Sequence, residues 1–242
     1  MNGLNGKRVL VTGAASGIGA GIASRLVEEG CTVGGIDLQP SEAITPFQLA
    51  DVRAWNAVEP AVAAIAEKLG GLDAAVNVAG IGGYSGDVVE TTLEDWQKVI
   101  DVDLTGVFLV SRAAIPFIRK SGGGSLAHIS SQYGLVGGAG FPAYCAAKAG
   151  VIGLTRAMAV DHAGEGIRVN CVCPGPIETP MLARNRLAPG RDRERERTEG
   201  RVLLGRPGEP ADVAALVAFL LSEDARNITG SIMTSDGGWT AG

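Results

Sequence analysis

Through most of the chain, short β-branched runs alternate with stretches whose apolar residues recur every three or four positions, and few folds accept that order. Residues 7–12, with Val9-Leu10-Val11-Thr12 at their centre, read as a strand, and Ile18, Ile22 and Leu26 then mark one buried stripe of a helix that Gly30 ends. Residues 31–37 form a second strand and 47–52 a short third; Val58, Ala61, Val62, Ile65 and Leu69 mark the next helix, and 74–80 a fourth strand running into glycine. The spacing predicts one long helix over 93–120, a fifth strand over 125–130, a helix over 142–163 and a sixth strand over 166–173. Val213, Leu216, Val217 and Leu220 mark a last helix before a seventh strand at 231–235. Because a parallel strand is reached only through a crossover, this alternation predicts an α/β chain, a parallel sheet with helices on both faces. Ligands of such sheets lie beyond the carboxyl ends of the strands.

Chemistry-bearing residues collect at those ends. The first strand stops in Gly13-Ala14-Ala15-Ser16-Gly17-Ile18-Gly19, where glycines let backbone N–H groups approach a pyrophosphate at the positive end of a helix. A glycine pattern alone is equally a plain tight turn. The second strand adds Asp37, a carboxylate placed to accept from the hydroxyls of an adenosine ribose and to repel a 2′-phosphate; its neighbours Leu38, Gln39 and Ser16 supply no cation. That combination predicts NAD rather than NADP. Asp51, followed by Val52, is a candidate to meet the adenine amino group, and the small residues Asn77, Ala79 and Gly80 let a cofactor lie against the backbone.

The stretch from Ser131 to Lys148 sets a serine, a tyrosine and a lysine at usable spacings. Tyr144 and Lys148 are four apart in an Ala-rich run and share one face if it is helical, making a phenol and an ammonium a candidate acid–base pair. Half-ionising a tyrosine at about pH 7 requires a downward shift of roughly three units, which an ammonium and an oxidised nicotinamide ring together are expected to supply. His128 falls inside the fifth strand and reads as a packed histidine, and the aromatic residues of 93–120 as core or subunit interface.

The 242 residues, 46% hydrophobic and 19% charged, suit a single domain over 1–242 with a large core. A net charge of −5 gives no general attraction for nucleic acid or anionic lipid, so a small-molecule ligand is expected. With no signal-like or membrane-length apolar run, a cytoplasmic protein is expected. Cys31, Cys145, Cys171 and Cys173 lack zinc-site spacing and read as buried free thiols, so no metal is expected. Arg184 to Arg201 alternates charge without an apolar stripe; it reads as a solvated helix or loop, or as a substrate lid around 181–202.

Taken together, Thr12-Gly13-x-x-x-Gly17-Ile18-Gly19, Asp51, Asn77-Val78-Ala79-Gly80, Ser131, Tyr144-x-x-x-Lys148, Asn170 and Pro174-Gly175 resemble the short-chain dehydrogenase/reductase family over essentially the whole chain. The resemblance implies a doubly wound Rossmann fold with a seven-stranded, mainly parallel sheet, a nicotinamide cofactor and a homotetramer. It implies Ser131, Tyr144 and Lys148 as catalytic residues, cofactor contacts from Tyr144, Lys148, Pro174 and Gly175, and places Ile177 and Thr179 at the nicotinamide carboxamide. One position departs: Asp103 stands where the family usually has an asparagine that helps link the lysine to solvent through a water. The implied activity is hydride transfer between NAD(H) and a secondary alcohol or ketone. The alternatives are an NADPH-dependent 3-oxoacyl-thioester or ketone reductase, which Asp37 disfavours, and a non-catalytic nucleotide-binding protein, which only Asp103 favours. The expected substrate walls, 82–88, 132–141 and 181–187, suit a small or partly apolar alcohol or ketone.

Overall fold

A computed structural model describes residues 1–83, 85–187 and 200–242. Its sheet has seven strands: β1 (Arg8–Thr12), β2 (Thr32–Asp37), β3 (Phe47–Leu49), β4 (Ala74–Asn77), β5 (Gly124–Ile129), β6 (Ile167–Pro174) and β7 (Ile232–Ser235). They lie in the order β3-β2-β1-β4-β5-β6-β7, and every neighbouring pair is parallel, so the mainly parallel sheet expected from the sequence is wholly parallel. The seven α-helices among the described residues are α1 (Gly17–Glu28), α2 (Trp55–Leu69), α3 (Leu93–Ile100), α4 (Gly106–Lys120), α5 (Pro142–His162), α6 (Pro180–Leu187) and α7 (Pro210–Leu221). None of them is long and apolar enough to cross a membrane.

Alternation along β1 divides the core between the two faces. Val9 and Val11 pack with Ile22 and Leu26 of α1 and Val213 and Val217 of α7, while Leu10 packs with Val58, Val62 and Ile65 of α2 and Ala114 and Ile118 of α4. All of these are buried, and each large aliphatic among them contributes about 1.5–3 kcal/mol relative to exposure. The chain enters at the centre of the sheet, runs outward to β3, and returns to place β4 against the other edge of β1. The connections leaving β1 and β4 therefore diverge, and a crevice opens between them.

Two expectations needed correction. The predicted helix over 93–120 is divided: between α3 and α4, Asp101–Thr105 forms one wide π-type turn, an arrangement frequent at functional sites. The next residue, Gly106, lies so close to the other side of the crevice that a Cβ there would sit 2.8 Å from Val52 Cγ2. Ile18, assigned to the buried stripe of α1, is only partly buried and faces the crevice; the stripe is carried by Gly19, Ile22, Ala23 and Leu26. The proposed lid falls mostly outside the described residues; only its two ends, in α6 and after residue 199, are within them.

Candidate active site

The crevice is a cleft with a cavity volume of about 460 Å³. Its floor is built from backbone. Gly13 has φ +65° with its Cα facing Ala79, and a Cβ at Gly19 would stand 2.0 Å from the Gly13 carbonyl oxygen, so the turn closes only with glycine at both positions. The Thr12 hydroxyl oxygen accepts from Val78 N–H (3.0 Å) and Ala79 N–H (3.2 Å), joining the ends of β1 and β4. Ser16 precedes α1 in extended conformation without a side-chain cap, so first-turn N–H groups stay unsatisfied where Ser16, Gly17, Ile18 and Gly19 line the cleft. This cradle of orphan donors at a helix N-terminus fits a pyrophosphate.

Asp37 is fixed before any ligand arrives. Its Oδ2 accepts from Ala15 N–H (3.0 Å) and its Oδ1 from Gln39 N–H (3.1 Å), which ties the second strand to the glycine turn. Leu38 projects beside it, 63% exposed, as an apolar surface for a flat ring. Asp51 and Val52 also line the cleft, but Asp51 is already engaged: Arg53 donates from Nε and Nη2 to both its oxygens at 2.6–3.0 Å and holds the carboxyl below its usual range. An adenine amino group would share Asp51 with Arg53, a partner not anticipated from the sequence.

Ser131, Tyr144 and Lys148 meet in the same cleft. Ser131 follows β5 and accepts Tyr133 N–H (3.1 Å) at its hydroxyl oxygen, while Tyr144 and Lys148 share a face of α5, the ammonium 5.5 Å from the phenol ring centre. Lys148 Nζ donates to Ile129 O (3.2 Å) at the end of β5 and stands 3.0 Å from Asp103 Oδ2. The π-type turn aims Asp103 inward, where it is 0% exposed and its Oδ1 accepts Ile81 N–H at 2.9 Å. A Cβ at Gly80 would reach 3.0 Å from Asp103 Oδ2, so that glycine leaves just enough room for the pair.

The charges decide one another. Burial alone would lower Lys148, but Asp103 and then the phenol outweigh it and the ammonium ends above its ordinary value. Burial pushes Asp103 up and Lys148 pulls it back. With one oxygen taking a backbone N–H and the other facing the ammonium, the geometry suits the ionised carboxylate of an ion pair. Tyr144 is raised: burial outweighs the lowering by Lys148 and the Ser131 hydrogen bond, and Asp103 adds to the rise. The lysine by itself therefore does not bring the phenol to neutral pH.

Pro174 and Gly175 at the end of β6, and Ile177 and Thr179 beyond it, complete the wall. A Cβ at Gly175 would lie 2.7 Å from Asp236 Cα, which holds this segment against the residue following β7. Asn77 does not join the site: it turns into the core and donates to Ser111 Oγ (3.0 Å). Asn170 also serves structure, its Nδ2 donating to Ile228 O (2.8 Å) and its Oδ1 accepting Ser231 N–H (3.0 Å). His128 packs inside, its Nδ1 2.9 Å from Thr155 Oγ1 and its Nε2 3.3 Å from Ser111 Oγ. Thr155 donates its own proton to Val151 O, so Nδ1 carries the imidazole hydrogen, and burial lowers the histidine to about 4. Three cysteines are buried, Cys145 is half-buried and all four are free. An aromatic cluster unforeseen in the sequence stands here: Tyr133 and Phe141, their ring centres 5.1 Å apart, both pack against Tyr144, and Trp239 packs against Tyr133.

Known proteins resemble this chain over nearly its whole length. A family model described as enoyl-(acyl carrier protein) reductase matches residues 13–240. The chain is 39% identical to meso-2,3-butanediol dehydrogenase of Serratia marcescens, covering 97% of this chain and 95% of that protein. It is 38% identical to a 3-oxoacyl-[acyl-carrier-protein] reductase of Thermotoga maritima, over 97% and 98% of the two chains. Among solved structures, ligand-free aldohexose dehydrogenase of Thermoplasma acidophilum superposes with a TM-score of 0.91 at 35% identity, covering 99% of this chain and 96% of that one.

Proposed function

The chain belongs to the short-chain dehydrogenase/reductase family and is an oxidoreductase acting on alcohol groups, and from that premise we propose that it interconverts a secondary alcohol and its ketone with NAD(H), using Ser131, Tyr144 and Lys148. The observation that carries the proposal is the continuity of one cleft from the Asp37-guarded glycine turn to the serine, phenol and ammonium. Gly13, Ser16, Gly17, Ile18, Gly19, Asp37, Leu38, Asp51, Val52, Ala79, Gly80, Pro174, Gly175, Ile177 and Thr179, with Tyr144 and Lys148, would hold the cofactor. The chemistry the cofactor supplies when bound is acceptance or delivery of a hydride, with a positive ring in its oxidised form.

In oxidation, Tyr144 takes the proton of the reacting hydroxyl; in reduction it returns that proton to the carbonyl oxygen. Ser131 hydrogen-bonds the same oxygen and keeps it in line with the phenol. Lys148, held charged by Asp103, stabilises the phenolate and reaches the cofactor ribose. Since burial and Asp103 hold the phenol high, alcohol oxidation should quicken as pH rises above neutral.

Cofactor choice rests on Asp37, anchored at both oxygens where a 2′-phosphate would bring like charge. Initial rates with NADH and NADPH on a panel of ketones test this: NADH should give the higher kcat/KM, by roughly tenfold or more for one unfavourable charge contact. Equal or better use of NADPH would contradict the role given to Asp37. The similarity to the Thermotoga maritima reductase supports one second reading, an NADPH-dependent 3-oxoacyl-thioester reductase, which the same assay separates when a 3-oxoacyl thioester is included.

A further inference from the structure

We propose that Trp239, in the C-terminal turn, is a positioning residue for the reaction: it holds Tyr133 in place, and through Tyr133 it sets the geometry of Ser131 and Tyr144. The inference rests on the reading of Ser131 and Tyr144 as the groups that hold and deprotonate the reacting oxygen.

Trp239 is 3% exposed and stands behind the cleft lining, so it acts on the site only through a neighbour. The turn that carries it is closed by the buried Asp236, whose Oδ1 accepts Gly238 N–H (3.0 Å) and whose Oδ2 accepts Thr240 N–H (2.9 Å) and the Thr240 hydroxyl (2.6 Å). Gly238, at φ +84°, lets the chain reverse, and Trp239 N–H reaches the Asp236 carbonyl at 3.2 Å. The Arg201 guanidinium stands 4.3 Å from the centre of the indole and donates to Gly242 O (2.8 Å). A buried carboxylate bonded at both oxygens and a cation over the ring make this turn a fixed mount for the indole.

Trp239 meets Tyr133 in a T-shaped contact, ring centres 5.8 Å apart and planes at 83°. Tyr133 in turn touches both reacting groups. Its backbone N–H donates to Ser131 Oγ (3.1 Å), which fixes the serine oxygen as an acceptor and leaves its proton to be donated. Its ring stands edge-on to Tyr144 with centres 6.5 Å apart, and Phe141 packs on both. Gly138 presses from another side: a Cβ there would lie 2.9 Å from the Tyr133 ring. The backbone under Tyr133 is only a single 3₁₀ turn, Gln132–Gly134, so side-chain packing sets the position of the ring. Cutting Trp239 back leaves a void beside Tyr133, and relaxation into it draws the N–H away from Ser131 and the ring edge away from Tyr144. Proton transfer needs hydrogen-bond reach, so a small displacement costs rate while the cofactor cradle at the other end of the cleft is untouched.

The test compares wild type, Trp239→Leu, Tyr133→Leu and the double variant in NAD-dependent oxidation of cyclohexanol and butane-2,3-diol, with folding checked by circular dichroism. Trp239→Leu should lower kcat by roughly tenfold or more, while NADH binding, followed by cofactor fluorescence, stays within about twofold of wild type. In the Tyr133→Leu background the same change should cost little, because the contact it acts through is already gone. Trp239→Phe, which keeps a ring against Tyr133, should recover most of kcat. Unchanged kcat in Trp239→Leu, or equal losses with and without Tyr133, overturns the proposal. Fluorine NMR of protein carrying 3-fluorotyrosine at its three tyrosines reads the same coupling without turnover, the Tyr144 signal being the one that Tyr144→Phe removes. That signal should move in Trp239→Phe and move further in Trp239→Leu, although neither change touches Tyr144. A Tyr144 signal that stays in place refutes the coupling, and Trp239→Phe alone decides it where Trp239→Leu fails to fold. If wild type oxidises neither alcohol, the alcohol-oxidising reading fails, and the fluorine spectra still decide the role of Trp239.

Discussion

At the glycine-turn end of the cleft the positioned groups are backbone N–H donors and one carboxylate, all between Thr12 and Asp37 in sequence. At the other end they are side chains brought from three separate segments: Ser131 after β5, Tyr144 and Lys148 on α5, and Asp103 in the π-type turn before α4. The first end is held by glycine-turn geometry and by backbone N–H groups donating to Thr12 and Asp37, without a buried charge pair. The second depends on a buried charge pair and on long-range bonds to Ile129 and Ile81. A site of the first kind should absorb side-chain changes easily, and one of the second kind should couple its chemistry to the stability of the whole fold.

Lys148→Met tests that contrast most severely. It leaves Asp103 buried without its cation and should lower unfolding stability by about 3–5 kcal/mol in urea titrations at pH 7, whereas Ser16→Ala, whose side chain caps nothing, should stay within about 0.5 kcal/mol of wild type. Similar losses in the two variants would remove the distinction between the ends.

Behind the catalytic end, His128 provides the next effect. The folded chain keeps it neutral down to about pH 4, while an unfolded histidine takes a proton below about 6.5. Its contribution is therefore intact above pH 6.5 and is lost as pH falls toward 4, by up to about 3 kcal/mol. Urea midpoints measured from pH 7 to 4.5 should fall more steeply for wild type than for His128→Gln; parallel slopes would mean that the buried histidine already finds a proton.

The smallest effect sharpens the comparison within the catalytic end. Asp103→Asn keeps an acceptor for Ile81 N–H but removes a charge that adds to the rise burial imposes on Tyr144, so the pH at which alcohol oxidation reaches half its maximal rate should move down. A profile that loses height without moving would make Asp103 a packing residue only.

The same contrast explains what was readable before the structure. Gly13, Gly19 and Asp37 announce themselves because a tight turn and a strand end are local patterns, and Tyr144 and Lys148 because four residues bring them to one helix face. The resemblance put Asp103 in the neighbourhood of Lys148, but their direct contact was not legible in the residues themselves. Residues 93–120 have one continuous helical period, and the insertion that turns Asp103 inward leaves no mark on apolar spacing. Asn77 misled for a related reason: β4 ends at the cleft, but alternation along the strand turns its side chain to Ser111. The hold of Arg53 on Asp51 depends on rotamers that no sequence pattern encodes.

The most direct test of the account is Tyr144→Phe, which deletes one oxygen from a side chain whose ring still packs against Tyr133 and Phe141. NADH binding, followed by fluorescence titration, should stay within about twofold of wild type, while kcat for alcohol oxidation should fall by roughly 10²–10⁴ as the general base is lost. Retention of most of the rate would contradict the assignment of Tyr144 as the group that moves the proton.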